Sequence, residues 1–313
     1  MEILHETPIF KFNVDTLQYL RKQYDLDKPE RLEESINHLV DWLKKQEHLL
    51  KKDYSREYLE RTLIMCKGSV ERSKVKLDKI CTFRTLVISC FDRVCDFIFL
   101  FLYRSICFLP KMTNDHYRVI MASYKGQSFE AGFLNLYRYY IRICEYLQGN
   151  DYCNGVIGVF DFTDTNIMEF LKVLNLFDLR KYFSIEGYGM RLKGLYFITP
   201  SRAIDALVSL IKQAVSSKIS QRIGVFKDME QLHNVITKDD LPLEYGGKEK
   251  SIKELISHLK PIWNLKKELS SKEFNDYFNE MKKACTDESY RSQEKFNDQY
   301  LGMPGSFRKL TVD

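Results

Sequence analysis

Four cations at two regular spacings are the first residues in this chain whose pattern points to binding chemistry. Arg191 and Lys193 alternate within RLKGLYFIT, which reads as a strand, so their side chains leave the same face. Lys218 and Arg222 stand four apart, the spacing of one helical face. Holding a polyphosphate takes several cations from different segments, because one exposed pair contributes little. Solvated surface charge is the alternative reading of the same residues. Asp161 and Asp164 form the best carboxylate pair, at the end of an apolar strand. They can serve as acid and base, but a structural role at the strand end is the favoured reading.

The motifs of the common enzyme classes are missing. Gly155 and Gly158 give GVIG, without the G-x-G-x-x-G spacing of a dinucleotide loop. There is no Walker loop, no G-x-S-x-G elbow and no H-E-x-x-H pair among His5, His38, His48, His116, His233 and His258. Catalytic groups can still come from distant positions, so an α/β enzyme stays as the third reading. No cofactor is implied. The eight cysteines make no C-x-x-C and no zinc spacing. Together with an N-terminus unlike a signal peptide, they point to free thiols and a cytoplasmic protein. The net charge of +5 is too small to imply nucleic acid. The longest apolar run, Phe97–Leu109, is shorter than the ~20 residues needed to cross a bilayer, so any membrane contact is expected to be peripheral.

These residues need elements to hold them. With 44% apolar and 29% charged residues, the 313-residue chain is globular and long enough for two domains. Leu32, Ile36, Leu39 and Leu43 recur at helical spacing after Asp27-Lys28-Pro29-Glu30, a helix start with a cap and an early proline. Further helices are expected near Ser55–Lys67, ending at Gly68, and from about Ser69 to Asp92. After Pro110 strands alternate with helices. Strands are expected at Tyr117–Ala122, Gly155–Phe162, Arg191–Thr199 and Gln221–Lys227, and helices near Ser128–Gln148, Thr165–Phe177 and Pro200–Ser216. The expected fold is therefore α/β: a helical domain over residues 1–95, a mixed sheet with covering helices over 96–250, and a helical or extended tail over 251–313. In that tail Ile252, Leu255, Ile256 and Leu259 can pack one helix face onto the sheet domain.

The Pro200–Ser216 segment carries Ile204, Leu207, Val208, Ile211 and Val215 on one stripe, with Thr199 able to cap it and Pro200 suited to its first turn. By itself this describes an ordinary surface helix on a sheet. On the strands, Leu195 shares a face with Phe197, and Gly158 with Phe160, where the glycine leaves room for a ligand. Tyr137, Arg138 and Arg142 lie on a helix that can add polar groups.

Several ordered motifs resemble the CRAL-TRIO lipid-binding family. LPLEYGG, residues 241–247, is similar to the end of that domain, most of all in its α-tocopherol transfer and cellular retinaldehyde-binding branch. GVIGVFDFTD resembles its hydrophobic strand followed by Asp. GMRLKGLYFITPSRAIDALVSLIKQAVSSKISQRIGVF resembles its strand, lid helix and next strand, and the closing GSFRKLTVD is similar to arthropod members. The resemblance covers about residues 55–250 plus the tail. It implies a helical N-terminal domain, a sheet flooring a hydrophobic pocket, and a mobile lid helix. It also implies a non-enzymatic carrier of tocopherol-, retinoid- or phospholipid-like molecules. By the same resemblance, Gly158, Phe160, Leu192, Leu195 and Phe197 face the ligand from the sheet. Ile204, Leu207, Val208 and Ile211 face it from the lid, and Phe133, Tyr137, Ile141 and Tyr188 from other walls. Arg191, Lys193, Lys218 and Arg222 match positions where the family binds phosphoinositide headgroups. Two departures stand out. The family's N-terminal arginines align with Ile64-Met65-Cys66-Lys67, where only Lys67 can substitute, and its usual proline before the strand is Gly189. A phosphoinositide-binding scaffold without cargo transfer is the second functional class.

Overall fold

The computed structural model describes residues 4–7, 9–86, 106–124, 143–174, 176, 179, 190–263, 276, 279–281 and 283–290. Phe133, Tyr137, Arg138, Ile141, Arg142, Tyr188 and the closing GSFRKLTVD lie outside these residues.

Among the described residues the N-terminal part contributes four helices, α1 (Thr16–Gln23), α2 (Pro29–Lys45), α3 (Arg56–Met65) and α4 (Val70–Leu86). Helix α2 buries Leu32, Ile36, Leu39 and Leu43, the stripe its spacing demands. Asp27 does not cap it. The cap position is Lys28, whose side chain makes no cap bond, and Pro29 opens the first turn. Ser55 does cap α3, accepting from the Tyr58 N–H at 3.2 Å. Helix α3 ends in a reversal through Lys67 and Gly68, both left-handed at φ +58° and +72°. Glycine is required at the second position, because a Cβ there would stand 2.2 Å from the Tyr24 carbonyl oxygen.

The second part is a five-stranded mixed sheet in the order β1 (Ile106–Phe108), β2 (Tyr117–Ser123), β3 (Gly155–Asp161), β4 (Leu192–Ile198), β5 (Ile223–Phe226). The β1–β2 pair is antiparallel and the other three pairs are parallel. Parallel neighbours require crossovers. The described parts of these include α5 (143–150), α6 (Ile167–Val173), α7 (Ile204–Ala214) and the single turn α8 (Ser217–Ser220). Strand β1 lies at the end of the Phe97–Leu109 run, so the sheet begins before Pro110, earlier than the sequence pattern indicates. Strands β2 and β3 are buried on almost every residue, as strands covered on both faces must be. β5 is the less covered edge.

Helix α7 starts four residues later than Pro200. Its cap position is Ala203, and the Thr199 hydroxyl instead accepts from the Ser201 N–H at 3.2 Å, holding a turn ahead of the helix. Helix α9 (Ile252–Trp263) buries Leu255, Ile256 and Leu259 in the sheet-domain core. A later stretch returns to the N-terminal helices. Leu50 N–H donates to Cys285 O, Asp287 N–H to His48 O, and Leu49 bridges to Thr286.

Candidate functional site

The floor of the candidate pocket follows from strand register. Gly158 lies opposite Leu195, and Phe160 opposite Phe197, so the four share one sheet face. Leu192 pairs with Val156, beside a register shift at Val156/Ile157. Phe160 stacks on Phe197 with centroids 5.7 Å apart. From α7, Ile204, Leu207 and Ile211 are buried and Val208 partly so, in the same apolar cluster as this floor. Asp205, Ser209 and Lys212 are exposed on the opposite side. The space over Gly158 is not open here. A Cβ at that position would stand 3.0 Å from Phe160 Cε2 and 3.2 Å from Leu195 Cδ1, two side chains that fold across it.

The cations converge at the start of β4. Arg191 and Lys193 do lie on one side. Both rest over Gly155, where an added Cβ would meet Lys193 Cγ at 2.9 Å and Arg191 Cβ at 3.3 Å. Gly155 adopts φ +143°, so a side chain there would be strained as well as crowded. Lys218 and Arg222 do not share a helix face. Helix α8 ends at Ser220, and Arg222 follows it, immediately before β5. Arg222 still reaches the site, since its Nη1 donates to the Leu192 carbonyl.

The Lys193 ammonium is held below the usual lysine range, first by burial and then by repulsion from Arg191, Arg222, Lys67 and Lys218. Its Nζ lies 4.9 Å from the centroid of the Tyr117 ring. Geometry brings Arg191, Lys193 and Arg222 together here, through the crowding over Gly155 and the Leu192 carbonyl.

Arg191 is the most constrained of the set. Its Nη1 donates to the Tyr24 hydroxyl at 2.6 Å and its Nη2 to Asn154 Oδ1 at 3.1 Å. The Tyr24 hydroxyl itself donates to Asn154 Oδ1 at 2.5 Å. The guanidinium also lies over the Tyr24 ring, 4.7 Å from its centroid. Sequence reasoning did not find Tyr24 or Asn154, which carry no local motif.

Asp161 is engaged structurally. It accepts from the Thr163 N–H at 2.8 Å and from the Tyr245 hydroxyl at 2.9 Å, which ties the end of β3 to LPLEYGG. Asp164 takes a left-handed backbone at φ +58° in the following turn. The cysteines among the described residues form no disulfide and are buried, and burial pushes the Cys107 thiol up to about 12. Among the described residues no cluster of three or more His, Cys, Asp or Glu could hold a metal ion, and no helix is long and apolar enough to cross a membrane.

Comparison with known proteins matches these features. Residues 102–247 match the CRAL/TRIO domain model, and residues 28–94 the Pinta-like UBA domain model. A CRAL-TRIO domain-containing protein of Dictyostelium discoideum is 29% identical over 91 residues, which is 29% of this chain and 33% of that protein. The chain thus spans about a third of the length of that curated relative. The solved structure of Sfh5 is 16% identical, with a TM-score of 0.45, covering 78% of this chain and 91% of that one. Over residues 102–247 the chain is thus similar to the CRAL/TRIO domain.

Proposed function

We propose that this protein is a non-enzymatic carrier of the tocopherol-transfer and retinaldehyde-binding type. It encloses a small hydrophobic ligand between the Gly158/Phe160/Leu195/Phe197 face and α7, and exchanges it at phosphoinositide-containing membranes. A tocopherol-, retinoid- or phospholipid-like cargo suits walls made of aromatic and aliphatic side chains. Helix α7 buries a single stripe, so it can lift from the floor at the cost of one apolar contact surface. The observation that carries the membrane half is the convergence of Arg191, Lys193, Lys218 and Arg222. Lys193 sits among like charges, a state that an anionic headgroup relieves. Lys218 and Arg222 follow α7 directly in the chain, so headgroup binding and the position of that helix are mechanically linked. A headgroup favours an open helix only if it binds that state more tightly.

The test is vesicle binding and cargo transfer by the Lys218→Ala, Arg222→Ala double variant. Binding to phosphoinositide vesicles should weaken by about 1 kcal/mol per cation removed, and transfer should slow while affinity for free cargo stays. Salt should weaken the wild type more than the variant. Equal binding and transfer at low salt would remove the membrane half of the proposal.

The crowding over Gly158 favours a second reading, a phosphoinositide-binding scaffold whose pocket is filled by its own side chains. Mass spectrometry of the native protein separates the two. Co-purifying lipid supports the carrier, and headgroup binding without cargo supports the scaffold.

A further inference from the structure

We infer that the described residues between 279 and 290 form a strap that completes the N-terminal helical part and sets how firmly that part grips the sheet. Ala284 is fully buried in the apolar cluster of the helices, with Leu49, Tyr54, Leu59 and Cys81. Met281, Cys285 and Thr286 are buried as well. Two walls hold the stretch. The first is the 46–50 turn. It shares two backbone hydrogen bonds with the strap, from Leu50 N–H and from Asp287 N–H, and bridges to it at Leu49. His48 Nε2 in that turn stands 2.5 Å from Asp78 Oδ1, which pins the turn to α4. The second wall is Thr85, in the last turn of α4. Its hydroxyl oxygen accepts from the Thr286 N–H at 2.8 Å and lies 2.8 Å from the Thr286 hydroxyl, across 201 positions of sequence. At the rim Lys51 pairs with Glu280 at 3.1 Å. The mode is that of a short strand added to an open backbone edge, with a small side chain in a pocket.

The seam with the sheet part begins one residue away. Arg84 precedes Thr85 and makes the buried ion pair with Glu145 of α5. Farther along α5, Gln148 Nε2 donates to Thr62 Oγ1 at 3.0 Å, and Arg61 Nε donates to the Gln148 carbonyl at 3.3 Å. These bonds are polar, whereas the buried apolar side chains gather in one cluster mainly of the helices and one mainly of the sheet. A polar seam between two cores resembles an interface that can open. The strap braces the turn of α4 from which Arg84 reaches across. Upstream in the same C-terminal region, α9 packs against β1, so this region grips both parts. Among the described residues only a few bonds hold the strap, which lets it open locally while the sheet stays folded. With the strap open, the last turn of α4 loses its outer support and the seam loosens. With it closed, the helices are held on the sheet.

The experiment is site-resolved hydrogen exchange on the full chain, comparing wild type with Ala284→Asp, Thr286→Val and Thr286→Ser. Ala284→Asp puts a carboxylate in the helical core, which the strap avoids by lifting out. Exchange of the Leu50 amide, whose acceptor is the Cys285 carbonyl, should then speed by more than about a hundred-fold. The amides of 82–85 and 145–149 should speed too, by a smaller factor, while those of β3 and β4 keep their wild-type rates. Thr286→Val removes one hydroxyl and keeps the backbone donor. It should give the same pattern with about a five-fold change at Leu50, the effect of one hydrogen bond. Thr286→Ser keeps the hydroxyl and should match the wild type. If the Leu50 amide speeds while 82–85 and 145–149 do not, the strap detaches without loosening the seam and the inference is overturned. It is overturned equally if β3 and β4 speed as much as Leu50 in both Ala284→Asp and Thr286→Val, because the strap then does not open on its own. Should Ala284→Asp alone unfold the chain, the Thr286→Val pattern decides between these outcomes.

Discussion

Arg191 donates to the Tyr24 hydroxyl at 2.6 Å across 167 positions of sequence, and the same hydroxyl donates to Asn154 Oδ1 at 2.5 Å. One phenol thus sits between a helix end and two strand ends. Tyr24→Phe keeps the ring under the guanidinium and removes both bonds. Asn154 still accepts from Arg191 Nη2, so the loss should be about 1.5–3 kcal/mol, that of a hydrogen bond involving a charged group. Chemical unfolding checks this, and an unchanged midpoint would show that water replaces the phenol without cost.

A second prediction concerns the ion pair between α4 and α5. Arg84 Nε and Nη2 donate to the two Glu145 oxygens at 2.6 and 2.9 Å, and Nη2 also to the Tyr58 hydroxyl at 3.2 Å, with both charged side chains fully buried. Glu145→Ala leaves the guanidinium buried without its counter-charge. The expected loss is about 3–5 kcal/mol. Replacing both, as Arg84→Met with Glu145→Leu, should cost far less, because no charge is then stranded. Equilibrium denaturation of the two variants tests the difference. A double variant as unstable as the single one would mean that packing, and not the charge, sets the cost.

The third prediction is a pH dependence. His116 is buried with a left-handed backbone, φ +60°. Its Nδ1 is 3.1 Å from the Thr16 hydroxyl and its ring 4.2 Å from that of Tyr19, both on α1. Burial holds its pKa below the ordinary histidine value, against the opposing pull of Asp15 and Asp115. With the folded pKa depressed, the neutral ring is the folded form. As pH falls below the unfolded value of about 6.5, only the unfolded chain takes up the proton. Stability should therefore fall from about pH 6.5 downward until the folded pKa is passed. His116→Asn suits the left-handed position and cannot titrate. Its melting temperature should lose less between neutral and mildly acid pH than that of the wild type. Identical slopes would place the acid sensitivity elsewhere.

These cases also show what the sequence made legible. The buried stripes of α2 and α7 and the parallel strands could be read, because helical and strand periodicities are local. Strand β1 could not, since Ile106–Phe108 ends an apolar run whose pattern fits helix or strand equally well. The α7 start was misplaced because Thr199 bonds to Ser201 and not to a helix turn. At the basic site the cation types were visible, but the position of Arg222 depends on where α8 stops. The partners of Arg191 lie 167 and 37 positions away, beyond any local pattern.

The last prediction places the cargo. Leu207 is 1% exposed on the inner stripe of α7, in one apolar cluster with Leu195 and Phe197 and packed with Phe160. Leu207→Asp puts a carboxylate on an otherwise apolar stripe, and an unpaired charge in an apolar site is strongly disfavoured. The helix can relieve this by turning its face to water, since α7 is bonded along its own backbone and need not unfold to move. The circular dichroism should therefore stay native while a fluorescent hydrophobic probe is no longer retained. Leu207→Met preserves the volume and polarity of the stripe and should retain the probe. Low pH supplies a further check, because protonating the aspartate removes the charge and should restore part of the binding. If Leu207→Asp holds the probe as the wild type does, the ligand does not lie beneath α7.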